Sequence, residues 1–190
     1  MSERPTYPAA SAVFHDPALF ERETGEVFRS EWIFVGTSDQ LPEPRSWFVY
    51  EASGRSLIVA RDKGGQVGAF VNACSHRGTR LCKGSGQGRL QCPYHGWVFD
   101  TDGSLMGPSR RKGLPEAFRN EDHGLAPVSL EVVGAFLFVA ENPTQPLREA
   151  LGDRVGFLER VSQDLVSEVF EIRMEIAANW KLVVSGAIED

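Results

Sequence analysis

Two short runs between Asn72 and Asp102 hold the residue types best suited to chemistry. They are Cys74-Ser75-His76 and Cys92-Pro93-Tyr94-His95, with residues 77–91 between them. Each run offers one soft thiolate and one imidazole, which are metal donors. Both half-sites mix Cys with His, so the set suits two metal atoms with unlike ligands. Two other readings stand beside this one. Cys₂His₂ is an ordinary zinc set, although the one-residue gap in the first run is tighter than usual zinc spacing. The four side chains could also be core and surface residues with no metal. Colour separates the first two readings, since a zinc protein is colourless and an iron–sulfur protein is red-brown.

The pattern Cys-x-His, fifteen residues, Cys-x-x-His has Arg77-Gly78 after the first His and Gly96-Trp97 after the second. It resembles the Rieske domain of ring-hydroxylating oxygenase large (α) subunits. The resemblance implies a Rieske [2Fe–2S] cluster, with Cys74 and Cys92 on one iron and His76 and His95 on the other. It is specific over 72–100 and extends more loosely over 30–190. The segment Ala178 to Val184 resembles the opening of the family's catalytic domain. Asp190 stands where the family has an Asp that bridges, across a subunit interface, from a Rieske histidine to the neighbour's iron site. Ser185-Gly186 departs from the family's Glu-Asn pair there.

That catalytic domain uses a mononuclear Fe(II), expected only in a full-length subunit. A 2-His-1-carboxylate set is its usual holder. Beyond His76 and His95 this chain has only His15 and His123, so it lacks that set. The implied partners are a ferredoxin or flavin reductase as electron donor, and copies of itself in a homotrimer in the full-length form. The implied activity is that of a Rieske oxygenase, an oxidoreductase incorporating oxygen from O₂. Arenes are the default substrates, and relatives acting on quaternary ammonium compounds or demethylating by oxidation share the motifs. The chain therefore reads as the N-terminal part of an oxygenase large subunit, a truncated product or a fragment. The alternative is a stand-alone Rieske ferredoxin-like electron carrier.

Residues around the runs bear on redox poise. High-potential Rieske proteins place hydroxyls two and four positions after the last ligand His, and here those positions are Trp97 and Phe99. Their inter-loop disulfide matches Thr79 and Tyr94, which cannot form one. A low-potential centre follows. Two ferric ions, two sulfides and two thiolates cancel in formal charge, so reduction turns a neutral centre into an anion. Seven basic residues lie between Cys74 and Lys112 (Arg77, Arg80, Lys83, Arg89, Arg110, Arg111, Lys112), against Asp100 and Asp102, in a chain of net charge −6. Such a face would attract an acidic donor, unless it is an ordinary solvated surface.

The rest of the chain must position these runs. At 190 residues and 42% hydrophobic, one good core and a smaller second element are affordable. The expected fold is mainly β: a Rieske-type antiparallel domain with a small cluster-binding subdomain, an N-terminal helix, and a C-terminal α/β extension. The expected boundaries are 1–30 for the N-terminal arm and helix, 31–142 for the Rieske domain, and 143–190 for the start of a truncated catalytic domain.

Residues 1–13 read as irregular. Asp16-Pro17 caps a helix over 17–30. Strands are expected at 32–35, 47–51, 56–61 and 66–71, with a hairpin turn at Lys63-Gly64-Gly65. Gly84, Gly86 and Gly88 read as a relaxed link. A hairpin is expected over 97–106, a long surface connection carrying an exposed His123 over 107–127, and paired strands at 130–133 and 136–140. Periodicity predicts a helix over 146–161 and a half-buried strand over 170–176. Cys82 reads as a small buried hydrophobe.

No apolar signal region opens the chain, and Val132–Ala140, the longest apolar run, is too short to cross a bilayer. Cysteine usage suits a reducing compartment, so a cytoplasmic location without membrane or nucleic-acid partners is expected.

Overall fold

The computed structural model describes residues 12–52, 54–108, 114–164 and 174–188. Asp190, the basic triplet Arg110–Lys112 and most of the strand expected over 170–176 lie outside the described residues. At the described end of that strand, 174–176 carry no regular element.

Two helices open the described chain, α1 (Ala12–His15) and α2 (Pro17–Ser30). The first falls where irregular chain was expected. Asp16 does cap the second: its carboxylate accepts the Ala18 N–H at 2.9 Å, satisfying one of the orphan donors of a helix start.

The strands are β1 (Ile33–Thr37), β2 (Ser46–Ala52), β3 (Arg55–Arg61), β4 (Val67–Val71), β5 (Ser85–Gln87), β6 (Leu90–Gln91), β7 (Val98–Phe99), β8 (Leu105–Gly107), β9 (Pro127–Val133) and β10 (Phe136–Ala140). Seven form one antiparallel sheet in the order β1-β10-β9-β4-β3-β2-β5, and β6-β7-β8 form a small second sheet. Helices α3 (Leu147–Leu151), α4 (Arg154–Asp164) and α5 (Trp180–Ile188) follow. The helix expected over 146–161 is thus two, broken at Gly152, whose φ of 53° is a left-handed value that only glycine adopts cheaply.

The chain forms two compact units, Phe28–Ser167 and a second made of Met1–Val27 with Glu168–Asp190. Within the first, Leu57-Ile58-Val59-Ala60 of β3 are buried on both faces, as a continuous apolar run predicts. Leu57 and Val59 join one core with Val35, Phe48 and Leu137. Ile58 and Ala60 join another with Phe70, Leu90, Trp97, Phe99 and, notably, Cys74 and Cys92. In the second unit, Lys181 at the start of α5 bonds both carboxylate oxygens of Glu23 at 2.6 Å, and the Trp180 indole N–H donates to the same group at 3.0 Å.

Both edges of the large sheet are irregular. β1 shifts register between Phe34 and Gly36 against β10, and β5 is a three-residue Ser-Gly-Gln strand paired with β2. β5 corrects the expectation of a relaxed link over 84–88. The Trp47 ring lies where a Cβ on Gly86 would be, 2.6 Å away, so the strand pairs closely only because residue 86 has no side chain.

Candidate metal centre

The two Cys/His runs fold as the same turn used twice. After β4, the Cys74 N–H donates to Thr79 O and the Gly78 N–H to Cys74 O, each at 2.8 Å. Between β6 and β7, the Cys92 N–H donates to Trp97 O at 2.8 Å and the Gly96 N–H to Cys92 O at 2.9 Å. Gly78 and Gly96 both have φ of 68°, the left-handed value such closures need. The glycine stands four residues after the cysteine in both, but the histidine stands two after Cys74 and three after Cys92.

The base of the first turn is clipped by Asn72, a buried residue. Its amide donates to Ser56 Oγ and Cys82 O at 2.9 Å, and its carbonyl accepts the N–H groups of Leu81 and Cys82. All four hydrogen-bonding capacities of that side chain are therefore used. Residue spacing alone gives no sign of this clip.

The four donors pair by element. Cys74 and Cys92 are 2% and 3% exposed, inside the apolar core. The imidazoles of His76 and His95 lie toward the surface with their Nδ1 atoms 3.1 Å apart. Among the described residues, no three His, Cys, Asp or Glu side chains share a position where one ion could sit. Zinc would draw all four to a single point. Two thiols at one end and two imidazoles at the other instead fit a two-iron, two-sulfide group with unlike ends.

Electrostatics follow from this layout. Burial pushes the Cys74 thiol up and Cys92 beside it adds to the shift, while the backbone N–H groups of His76 and Arg77 donate to the sulfur and pull the other way. Those donors point at the position a metal-bound thiolate would occupy, where they favour added charge. Partial desolvation holds the His76 imidazole below its usual value, and His95 and Arg77 repel its charged form further. A neutral imidazole is the form that ligates. Arg77, Arg80, Lys83 and Arg89 are exposed, and Arg80 pairs with Glu51 at 2.8 Å.

The small sheet is tied to the large one by a bidentate pair. Arg45 Nε and Nη2 donate to the two Asp100 oxygens at 3.0 and 3.2 Å. Arg45 has a φ of 65°, and it holds the buried Asp100 carboxyl below the usual range. This pair joins positions far apart in sequence and has no local signature.

His123 corrects an expectation. It is half-buried rather than loosely exposed, and its ring stacks on Phe118 at 4.4 Å. Trp97, which closes the second turn, lies flat on His76, centroids 4.8 Å apart and planes 5° from parallel. His15 is exposed. Cys82 is half-buried, and burial raises its thiol to about 11.

Comparison with known proteins adds what geometry alone does not. The family profile described as "Rieske [2Fe-2S] domain" matches residues 31–117. The glycine betaine monooxygenase oxygenase subunit of Chromohalobacter salexigens is 35% identical over 91% of this chain and 39% of its own length. The carnitine monooxygenase oxygenase subunit of Acinetobacter baumannii is 32% identical over 90% of this chain and 47% of its own. Among solved structures, the quaternary ammonium Rieske monooxygenase CntA superposes with a TM-score of 0.83 at 29% identity, covering 91% of this chain and 49% of that one. The chain spans less than half the length of each of these relatives.

Proposed function

This chain belongs to the large subunits of Rieske oxygenases, and from that premise we propose that it is their electron-handling part. Cys74 and Cys92 would hold one iron of a [2Fe–2S] cluster, and His76 and His95 the other. Such a cluster takes up and releases one electron at a time. The chain's own contribution is to bury the thiolate end, to aim backbone N–H groups at Cys74, and to disfavour the charged form of the His76 imidazole. The observation that carries the reading is the segregation of donors, with buried thiols at one end and facing Nδ1 atoms 3.1 Å apart at the other.

The electron donor would be a ferredoxin or flavin reductase, arriving at the exposed imidazole end, which the charge of Arg77 flanks. The acceptor would be a mononuclear Fe(II) carried by a longer subunit, in a trimer where Asp190 bridges neighbouring copies. Residues 143–190 would begin that catalytic domain. The betaine and carnitine oxygenases among the relatives, together with CntA, favour a quaternary ammonium substrate for the longer subunit. A second reading, an aromatic carboxylate, draws on the 2-halobenzoate 1,2-dioxygenase large subunit of Burkholderia cepacia, 31% identical over 93% of this chain. Among the described residues no helix is long and apolar enough to cross a membrane, and the cysteine usage supports a cytoplasmic setting.

Reconstitution with iron and sulfide tests the assignment. The expected product is red-brown, with two irons per chain, a low midpoint potential and nitrogen hyperfine couplings from two histidines in the reduced state. A colourless protein that binds one zinc, or a midpoint well above zero against hydrogen, would refute it.

A further inference from the structure

The Trp97 indole covers one face of the His76 ring, and Trp97 is itself only 6% exposed. Two further rings hold it there. Phe118 meets its edge at 5.7 Å and 82°, and His123 meets it at 5.8 Å and 76°. Phe118 and His123 stack on each other at 4.4 Å, 11° from parallel. Aromatic pairs in stacked and edge-to-face geometry attract beyond their buried area, so the four rings form one continuous set ending on an imidazole.

The segment carrying Phe118 and His123 is anchored at three points. Ser75 Oγ, beside His76 in the first turn, donates to His123 O at 2.7 Å. Asn120 Nδ2 donates to Met106 O at 3.0 Å, and the Leu125 N–H donates to Gly103 O at 2.8 Å. These anchors therefore tie the brace to the first metal-binding turn and to the hairpin after the second.

We propose that Phe118 and His123 are positioning residues that clamp Trp97 against His76 and thereby keep water off that one face of the imidazole, whose edge stays open at the surface. This rests on the assignment of His76 as a ligand. Its consequence has a sign. The centre is neutral when oxidised and an anion when reduced, and solvent exposure is one of the levers on its potential. Water stabilises the anion more than a covering of aromatic rings does, so loosening the clamp should make reduction easier.

The test uses the full chain reconstituted with iron and sulfide, as wild type and as Phe118→Ala, His123→Ala and His123→Phe. Midpoint potential and the histidine nitrogen couplings are read for each. Both alanine variants should shift the potential upward and alter one of the two nitrogen couplings. His123→Phe, which keeps a flat ring on Phe118, should return both readouts to wild type. Folded alanine variants with full clusters at the wild-type potential would overturn the proposal, as would His123→Phe behaving like His123→Ala. A variant that does not load iron is read as apo-protein by NMR. There the His76 ring protons should lose the ring-current shift that Trp97 imposes, and unmoved resonances would overturn the clamp. A wild-type chain without histidine-coupled signals refutes the ligand assignment instead, and the apo NMR comparison still decides the clamp.

Discussion

Replacing Gly103 by alanine probes how tightly the hairpin after the second metal turn is built onto the large sheet. Gly103 sits at the β7–β8 turn with φ of 83°, and a Cβ there would lie 2.3 Å from Cε1 of Phe70 on β4. Two costs add. Holding an L-residue in the left-handed region costs about 1–2 kcal/mol. Forcing a methyl into a filled core costs about 1–3 kcal/mol more, since Phe70 is only 8% exposed and has little room to yield. The sum is about 2–5 kcal/mol. Gly65, at the β3–β4 turn, is the control: its φ is 90°, but a Cβ there meets nothing within 4 Å. Gly65→Ala should carry only the backbone part. Urea unfolding followed by tryptophan fluorescence reports on the β unit, where Trp32, Trp47 and Trp97 reside. With a slope of about 2 kcal/mol per molar, Gly103→Ala should lower the midpoint by about 1–2.5 M and Gly65→Ala by about 0.5–1 M. Adding Phe70→Leu to Gly103→Ala should cost less than the two single changes summed, because the smaller side chain vacates the clash. Equal midpoints for the two glycine variants, or strict additivity with Phe70→Leu, would refute the steric argument.

Three further outcomes are expected. His95→Cys should leave a cluster of ferredoxin type with a lowered potential in voltammetry, and an unchanged potential would count against His95 as a ligand. The Asp100 carboxyl is held below its usual range chiefly by the Arg45 hydrogen bond, so its contribution to stability is complete above the unfolded carboxylate pKa near 4 and is lost as pH falls through the lower folded value; Asp100→Asn should flatten the stability profile below about pH 4, and an unchanged profile would refute the pairing. With its thiol raised to about 11, Cys82 should resist alkylation at pH 8 in the reconstituted protein and react much faster above pH 10, and rapid labelling at pH 8 detected by mass spectrometry would contradict its burial.

The parts of this protein that sequence made readable are those whose cause is local. Cys74, His76, Cys92 and His95 announce themselves by type and spacing. The β3–β4 hairpin follows from the Gly64-Gly65 turn between two apolar runs, and the Asp16 cap follows from the chemistry of helix starts. The misreadings have non-local causes. β5 carries a glycine-rich sequence that disfavours strands, yet it pairs with β2 because Trp47 fills the space over Gly86. The apolar spacing of Leu147, Leu151, Val155 and Leu158 continues across the break at Gly152, so periodicity could not reveal two helices. Phe118 and His123 lie in a stretch rich in proline, glycine and charge, and only the folded chain brings them to Trp97. The Asn72 clip and the Arg45–Asp100 pair likewise depend on chain closure that no single window contains.

The irregular borders of the seven-stranded sheet carry a consequence for handling the protein. An unpaired, straight outer strand templates strand-by-strand association between molecules. Here one border is kinked by the register slip in β1, and the other is a three-residue strand too short to guide a newcomer. Neither offers a ladder on which copies could stack, so concentrated samples of the metal-free chain should resist fibril growth.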